Sequence, residues 1–365
     1  MCRRYIAAAV TVFVLSVLLC GCGQSGEKKE GTRITTLTMV KPKGMKGFAE
    51  AAESYERSHS GVQIQIIDIA DSTNEMYKVY MASLSGRDSD IDIMLLDEIW
   101  VDEMESYGYL EPLGYEIDER EYDPLALDFF SVDGKMYAQP FAFDVGAVFY
   151  RKDRTAKPKN WNDVFGGAAE SPVFEKSVDE DLLCTAIELG DDMERAKPYF
   201  GDSGENSGDI KTKFKNGEIN YCRGWSKDYT YFNDYDFDIG GNVGVMIPEH
   251  PVVGGYGLAV SSFSQHKETA FDFIFYLTNS YNIRELLKRE GYIPVQREYL
   301  DDEMFADYNP CAAEIRETLS RAAVRQCGKT YVKDAWDLQQ EIYDSICGNG
   351  KMPALEKIYK IQGGR

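Results

Sequence analysis

The chain has 365 residues, of which 40 are Lys or Arg and 61 are Asp or Glu, so its formal net charge at pH 7 is −21. This excess of acid argues against a nucleic-acid partner and against electrostatic binding to a membrane, because both need clustered cations. The length is sufficient for two lobes, each with its own hydrophobic core.

The amino-terminal residues have the pattern of a secretory signal. Arg3 and Arg4 precede an apolar run that is shorter than the ~20 residues needed to span a bilayer. Residues Leu19 to Cys22 (Leu-Cys-Gly-Cys) resemble the lipobox of bacterial lipoproteins. We therefore expect residues 1–21 to be removed and Cys22 to carry acyl chains such as palmitate, which anchor the protein to the outer face of the cell membrane. Plain secretion, with Cys22 an ordinary residue, is the alternative.

Residues 23–32 are polar and contain glycine, so we expect a flexible tether that begins at the lipidated Cys22. The signal contains two basic residues and no acidic ones. Its removal leaves 38 Lys and Arg against 61 Asp and Glu, a net charge of −23. This charge favours a soluble surface for the folded part.

Segments with the period of strands alternate with segments of helical period along the rest of the chain. Strands are predicted at 62–66, where apolar and polar residues alternate, and at 91–96, which is an apolar run of the buried type. Before the first of these strands, one helical face carries Phe48, Ala51, Ala52 and Tyr55. This order is the βαβ pattern of a parallel sheet that is covered on both sides.

Later segments continue the α/β pattern. Further strands are predicted at 146–150, 243–247 and 258–260. Two helical stripes are predicted, one formed by Phe271, Ile274 and Phe275 and the other by Ala335, Leu338, Ile342 and Ile346. Residues 201–210 have no periodic apolar positions and are predicted to be a surface loop.

The cysteines beyond Cys22 do not indicate a metal site or a disulfide scaffold. There are five of them: Cys184, Cys222, Cys311, Cys327 and Cys347. The odd number and the absence of a close pair argue against both kinds of site. We expect small buried thiols, with a bridge from Cys311 to Cys327 as the alternative.

Sequence motifs of catalysis are absent, so we expect neither an enzyme nor a cofactor. The three histidines, His59, His250 and His266, lie outside any nucleophile motif. No phosphate-binding glycine motif follows a strand. The acidic residues between 68 and 92 do not have the spacing of a calcium-binding loop, so no metal is expected.

Binding of a neutral polar solute fits the composition better, because sugars need flat aromatic faces and groups that bond hydroxyls. Aromatic residues make up 13% of the chain. Trp225 follows a predicted turn among polar residues, and Tyr256 lies among glycines that let a ligand approach closely. Trp100 follows Asp97 and Glu98 at the end of a predicted strand, the usual ligand position in open α/β sheets.

A core position is the alternative for these aromatic residues, since a tryptophan is more often core than ligand platform. The polar setting of Trp225 favours function for that residue. The same holds for Asp144, which interrupts the apolar stretch Pro-Phe-Ala-Phe-Asp-Val-Gly.

Several segments together resemble family 1 extracellular solute-binding proteins, the sugar-binding components of ABC importers of the maltose and trehalose type. In chain order the segments are Asp90–Trp100, Tyr107–Leu113, Asp133–Asp153, Pro158–Val164, Gly254–Ser261, Ala270–Ile274 and Gly291–Val295. They span most of residues 34–347. Their order and spacing are those of the family.

The resemblance implies roles for three residues of the first two thirds of the chain. Asp97 matches an aspartate that bonds sugar hydroxyls, and Asp144 matches the aspartate at the first crossing between two lobes. Trp225 matches a stacking tryptophan, although Gly224 and Ser226 depart from the family's Arg-Asn-Trp-Pro pattern.

Three further residues complete the ligand-binding set that the resemblance and the local sequence predict. Tyr256 stands where the family usually has Trp, and Gly255 offers backbone contact. Arg325 matches the arginine of an Arg-Pro segment, although Gln326 replaces the proline, and a surface salt bridge is the alternative for it. The complete predicted set is Asp97, Glu98, Trp100, Asp144, Trp225, Gly255, Tyr256 and Arg325.

The resemblance also implies the fold and the partners. The fold is expected to be α/β with two lobes, of the type II periplasmic-binding-protein kind, each lobe a mostly parallel sheet flanked by helices. Lobe 1 would comprise 33–142 and 260–312, and lobe 2 would comprise 145–256 and 318–365. A monomer would capture a carbohydrate between the lobes and deliver it to ABC transporter permease subunits.

Other functions remain open from the sequence. A receptor of the same fold could bind a polyamine or a peptide instead of a sugar, or could act as a ligand sensor. A glycosidase that uses Asp97 and Asp144 as its carboxylate pair is a further alternative.

Overall fold

The computed structural model describes residues 34–363, apart from 70–71, 88, 169–170, 203–208, 235–238 and 301. The predicted signal, Cys22 and the predicted tether lie outside the described residues, as does most of the predicted loop 201–210. Within the described part of the chain, no helix is long and apolar enough to cross a membrane.

Strands and helices alternate along the described residues. The strands are β1 (Thr35–Pro42), β2 (Val62–Ile69), β3 (Ile93–Asp97), β4 (Leu110–Glu111), β5 (Ser131–Val132), β6 (Lys135–Met136), β7 (Gln139–Arg151), β8 (Phe174–Lys176), β9 (Phe200–Asp202), β10 (Tyr221–Trp225), β11 (Val243–Met246), β12 (Val253–Ser261), β13 (Ile293–Pro294), β14 (Ala323–Arg325) and β15 (Tyr359–Ile361). The helices are α1 (Gly47–Ser58), α2 (Thr73–Ser85), α3 (Val101–Ser106), α4 (Pro124–Phe129), α5 (Trp161–Ala168), α6 (Glu180–Leu189), α7 (Met193–Ala196), α8 (Ile210–Lys215), α9 (Asp228–Phe232), α10 (Lys267–Thr278), α11 (Ser280–Glu290), α12 (Arg297–Leu300), α13 (Glu303–Tyr308), α14 (Ile315–Leu319) and α15 (Tyr331–Ile346).

One large sheet organises the molecule. Its strand order is β10-β7-β12-β3-β1-β2, with β11 and β13 also paired to β7 and β4 paired to β12. Strands β1, β2 and β3 are parallel, as the predicted βαβ pattern requires. The structure therefore confirms the α/β class. It also confirms the predicted strands, which were placed at 62–66, 91–96, 146–150, 243–247 and 258–260.

The sheet is mixed, whereas the prediction was of mostly parallel sheets. Strand β12 runs antiparallel to both β3 and β7, and β10 and β11 run antiparallel to β7. The reason is that β7 carries the chain along the sheet in one direction and β12 brings it back beside β7. An outgoing strand and its returning neighbour must run in opposite directions.

Strand β7 is shared by two parts of the sheet. Its first half pairs with β12 and β13, and its second half pairs with β10 and β11. All of its residues are buried, which explains its nearly continuous apolar sequence. The exact residues that divide the two lobes stay a prediction.

Two hydrophobic cores lie against the sheet. Successive residues of β3 alternate between them: Ile93 and Leu95 belong to one core, and Met94 and Leu96 to the other. Because side chains alternate across a strand, this division places one core on each face of the sheet. An apolar run without polar interruption at β3 follows from this burial on both sides.

Of the stripe predicted on helix α10, Ile274 is buried and Phe271 packs against the core, whereas Phe275 does not belong to it. The buried residues are Ala270, Phe273, Ile274 and Leu277. They follow the helical spacing of three and four residues, so they form one continuous stripe. Phe275 was predicted to belong to the stripe, but 65% of its surface is exposed.

The predicted stripe of α15 is buried only at two of its four positions. Ala335 and Ile342 are buried, whereas Leu338 and Ile346 are partly exposed. The same helix also buries Gln339 completely. Its amide bonds to Glu180 and Asn74, so this helix contributes a polar contact as well as apolar ones.

All five cysteines beyond residue 33 are free thiols. The alternative bridge between Cys311 and Cys327 is therefore not formed. Cys184, Cys222 and Cys311 are buried, as expected for small apolar residues, whereas Cys327 is partly exposed and Cys347 is exposed.

Candidate ligand-binding site

A cavity of about 680 Å³ is lined by residues of several strands of the large sheet and by Arg325 of β14. Six residues of the predicted ligand-binding set line this cavity: Asp97, Asp144, Trp225, Gly255, Tyr256 and Arg325. The other two, Glu98 and Trp100, do not line it. None of the three histidines lines it either.

The register of the sheet brings these residues together from distant parts of the sequence. Tyr256 of β12 is opposite Asp97 at the end of β3, and Gly254 is opposite Asp144 of β7. Trp225 ends β10 opposite a β7 residue two positions after Asp144. Four strands thus deliver an aromatic or acidic side chain to one cavity.

Asp97 lies at the carboxyl end of β3 and is almost buried. Its Oδ1 accepts a hydrogen bond from the backbone N–H of Ile99 at 3.3 Å, which begins a short helical turn. The nearest guanidinium nitrogen of Arg325 is 3.6 Å from the same oxygen. The carboxylate is therefore held in place and offers an acceptor to the cavity.

Arg325 forms a buried double ion pair. Its Nη2 is 2.6 Å from Glu98 Oε1, and its Nη1 is 3.1 Å from Glu180 Oε1. The predicted alternative of a surface salt bridge is therefore wrong, because all three side chains are buried. Burial raises the pKa of Glu98 well above its usual range, and the guanidinium beside it only partly offsets this effect.

Glu98 forms an ion pair with Arg325 instead of lining the cavity. It is only 2% exposed, and its Oε2 has no hydrogen-bond partner among the described residues. The cause is the short turn after β3, which points successive side chains in different directions. Asp97 faces the cavity and Glu98 faces the guanidinium.

Trp100 belongs to a hydrophobic core. It is 1% exposed, and its ring centroid lies 5.8 Å from that of Tyr80 and 6.1 Å from that of Tyr77. Its place after a strand end suggested a ligand platform, but the turn carries its ring away from the cavity. Trp100 therefore occupies the core position that was predicted as the alternative.

Two neighbouring glycines of β12 make room for the walls of the site. A Cβ atom at Gly254 would overlap Nη2 of Arg325, so glycine is required for the guanidinium to pass. A Cβ atom at Gly255 would lie 3.0 Å from the carbonyl oxygen of Ala142 and 3.1 Å from the Phe129 ring. Both positions are thus explained by close packing of protein groups.

Asp144 is buried beside the loop that follows β10. Its Oδ1 accepts hydrogen bonds from Ser226 Oγ at 2.7 Å and from the backbone N–H of Lys227 at 3.2 Å. Burial raises the pKa of Asp144 to about 6, although Lys227 and Ser226 act in the opposite direction. The departure from the family pattern at Ser226 therefore supplies a hydrogen bond to the predicted ligand aspartate.

Trp225 is half-buried and has one face covered. The guanidinium of Arg223 lies over the indole at 4.6 Å from the ring centroid, and the indole N–H donates to Asp181. Arg223 is itself held by Glu188 at 2.9 and 3.0 Å. The indole is therefore fixed in orientation, and the residue lines the cavity with one face covered by Arg223.

The sequence-based prediction missed most of the polar and aromatic residues of the cavity wall. Four of those it missed are Asp181, Lys211, Lys227 and Tyr292. Lys227 follows the predicted site residue Trp225 by two positions, and Tyr292 lies within the segment Gly291–Val295 that resembles the family. These positions are the local signals that point to the two residues. Asp181 and Lys211 lie on helices whose packing against β10 the sequence alone does not reveal.

Comparison with known proteins identifies relatives over most of the chain. The profile of the family described as bacterial extracellular solute-binding protein matches residues 39–280. A probable ABC transporter-binding protein of Deinococcus radiodurans is 21% identical, over 80% of this chain and 83% of the relative.

Solved structures share the fold. Maltose-bound MalE3 of T. maritima has a TM-score of 0.79 and 20% identity, covering 88% of this chain and 97% of that chain. A ribitol-bound ABC transporter solute-binding protein of Agrobacterium radiobacter K84 has a TM-score of 0.73 and 17% identity, covering 89% of this chain and 97% of that chain. These likenesses confirm the predicted two-lobed α/β fold. Together with the family match over most of the sequence, they show that the chain belongs to the bacterial extracellular solute-binding proteins.

Proposed function

We propose that this protein is the sugar-binding receptor of an ABC importer. It captures a neutral sugar, oligosaccharide or polyol in the cavity between its lobes and delivers the solute unchanged to permease subunits in the membrane. The proposed ligand contacts are Asp97, Asp144, Trp225, Tyr256 and the backbone at Gly255.

The observation that carries the proposal is the pairing of an oriented indole with carboxylates in one cavity. Trp225 has one face covered by Arg223 and the other available for the apolar face of a sugar ring. Asp97 and Asp144 line the same cavity and accept hydrogen bonds from hydroxyls. A hydrogen bond to a charged group contributes about 1.5–3 kcal/mol, which is enough to select a hydroxylated solute.

Binding between the lobes links capture to delivery. A solute that contacts both sides of the cavity binds the closed form better than the open one, so it shifts the population towards closure. The permease would then recognise the closed surface. We expect the protein to act as a monomer in this cycle.

Lipid on Cys22 would keep the receptor beside its permease. The support for this proposal is the signal pattern before Cys22 and the polar segment after it. Replacement of Cys22 by serine should abolish incorporation of a labelled fatty acid and release the protein from membranes. Continued labelling of that variant would place the lipid elsewhere.

A ligand screen on protein that begins after Cys22 tests the proposed function. Thermal-shift measurements with maltose, maltotriose, ribitol, D-mannitol, spermidine and short peptides would be followed by calorimetry on each binder. We expect at least one sugar or polyol to bind and to be recovered unchanged. Binding of spermidine or peptides alone, or conversion of a sugar to products, would contradict the proposal.

A polyamine receptor is the second candidate, and the charge of the cavity favours it. The wall carries eight acidic and five basic side chains. Most of the basic ones already have an acidic partner, however, and the oriented indole suits a sugar equally well. The spermidine arm of the screen separates the two candidates.

A further inference from the structure

Lys227 lines the cavity next to the buried carboxylate of Asp144. The Lys227 side chain is 31% exposed, whereas that of Asp144 is 7% exposed. The lysine also lines the cavity beside Tyr256 and Tyr292. In this corner the ammonium group is therefore more accessible to a solute than the carboxylate.

The backbone that carries Lys227 is held firmly by its neighbours. Ser226 donates its N–H to the carbonyl of Val145 at 2.7 Å and accepts the Val145 N–H on Oγ at 3.1 Å. The amide of Asn309 donates to the Ser226 carbonyl at 2.8 Å and to the Gly291 carbonyl at 2.7 Å. Only the end of the lysine side chain is thus left to adjust to a ligand.

The ammonium of Lys227 has N–H donors left for a ligand. Its Nζ is 3.7 Å from Asp144 Oδ2 and 3.5 Å from the Tyr292 hydroxyl. Both separations are longer than a normal hydrogen bond, and an ammonium carries three N–H donors. The ring centroids of Tyr256 and Tyr292 lie 5.8 and 5.6 Å away, so aromatic walls orient the group without using its donors.

We propose that Lys227 is a specificity-determining residue: it donates a hydrogen bond to a hydroxyl oxygen of the solute, next to Asp144, which accepts one from a neighbouring hydroxyl. A donor and an acceptor side by side would bind two adjacent hydroxyl groups of one solute. The inference rests on the proposed function.

A neutral solute suits this corner better than an acidic one. An acidic group on the solute would gain an ion pair with Lys227, but Asp97, Asp144 and Asp181 on the same wall would repel it. Two other cations of the wall are already engaged: Arg325 pairs with two glutamates, and Lys211 pairs with Asp228 at 2.8 Å. Lys227, whose nearest carboxylate oxygen is 3.7 Å away, keeps N–H donors for a ligand oxygen.

Lys227→Met and Lys227→Arg test the proposal, with Lys351→Met as a matched control at an exposed position away from the cavity. Each variant would be titrated calorimetrically with the sugars or polyols that bind the unsubstituted protein. We expect Lys227→Met to weaken binding about tenfold or more, since a charged donor is lost. Lys227→Arg should recover most of the affinity, and Lys351→Met should match the unsubstituted protein.

The pH profile provides a readout that a purely structural role would not change. The groups that face Asp144 are Lys227, Asp228, Tyr256, Tyr292 and Cys311, and Lys227 is the cation among them. In the unsubstituted protein, affinity should fall as pH falls through about 6, where Asp144 becomes protonated. Without the ammonium that lowers the pKa of Asp144, Lys227→Met should lose affinity at a higher pH.

Two results would count against different claims. If Lys227→Met remains folded in thermal unfolding and binds the same solute with unchanged affinity and pH profile, the role of Lys227 is overturned. If the unsubstituted protein binds none of the sugars or polyols, the proposed function fails, and this inference fails with it.

Discussion

Asp97 and Trp225 reach the cavity wall through different local structures, and each is oriented by neighbouring protein groups. The carboxylate of Asp97 is set by the N–H of Ile99 and lies near Arg325. The indole of Trp225 is set by Arg223 on one face. At the scale of single residues, the site is therefore built from side chains that are positioned before a ligand arrives, which reduces the entropy lost on binding.

Removal of either side chain should weaken binding without unfolding the protein. For Asp97→Ala we expect a loss of about 1.5–3 kcal/mol in the free energy of binding, because a charged acceptor is lost. Trp225→Ala should have an effect of similar size, because the aromatic surface is lost. Calorimetric titration measures both, and thermal unfolding checks that the variants remain folded. Affinities equal to that of the unsubstituted protein would remove these residues from the site.

At the scale of elements, α10 illustrates what determines which face of a helix is buried. Phe271 and Phe275 are both aromatic, yet the buried stripe runs through Ala270, Phe273, Ile274 and Leu277. Several apolar residues on one helix permit more than one plausible stripe. The face that packs is decided by the elements beside it, here β12 and α11.

A matched pair of substitutions on α10 tests this burial. Phe273→Ala should lower the free energy of unfolding by about 3–5 kcal/mol, because it removes a fully buried ring and leaves a cavity. Phe275→Ala should change it by no more than about 0.5 kcal/mol, because that ring is largely exposed. Thermal or denaturant unfolding of the two variants measures the difference. Similar effects at both positions would contradict the assigned face.

At the scale of the whole molecule, the cavity depends on strands that two parts of the sheet share. Strand β7 pairs with β12 in its first half and with β10 in its second, and Asp144 lies near the change of partner. A movement between the two parts would therefore change the cavity directly. This arrangement suits a receptor that closes on its ligand.

Ligand binding should both stabilise and compact the molecule. At a free ligand concentration of 100 times Kd, binding to the folded state alone adds about 2.7 kcal/mol to the free energy of unfolding. Small-angle X-ray scattering with and without the same ligand should show a smaller radius of gyration in the bound state. Stabilisation without any compaction would argue against closure between lobes.

The amino-acid sequence by itself determined the elements whose signal is local. Alternating and continuous apolar runs identified β2, β3, β7, β11 and β12. Such runs suffice because the burial of a strand's side chains determines which of its consecutive residues are apolar. The order of the segments identified the family. Those segments contain Asp97, Asp144 and Tyr256, and the polar setting of Trp225 and its match to a stacking tryptophan added that residue. All four line one cavity, and their contact with a ligand stays a prediction.

Only the tertiary structure decided which neighbours of those residues share the cavity. Glu98 and Trp100 lie beside Asp97 in sequence, but a short turn directs one to Arg325 and the other to a core. Lys227, absent from the predicted set, lines the wall because its loop is fixed against Asp144 and Asn309. The physical reason is that strand register and loop packing depend on contacts between residues far apart in the chain. Local sequence patterns do not contain those contacts.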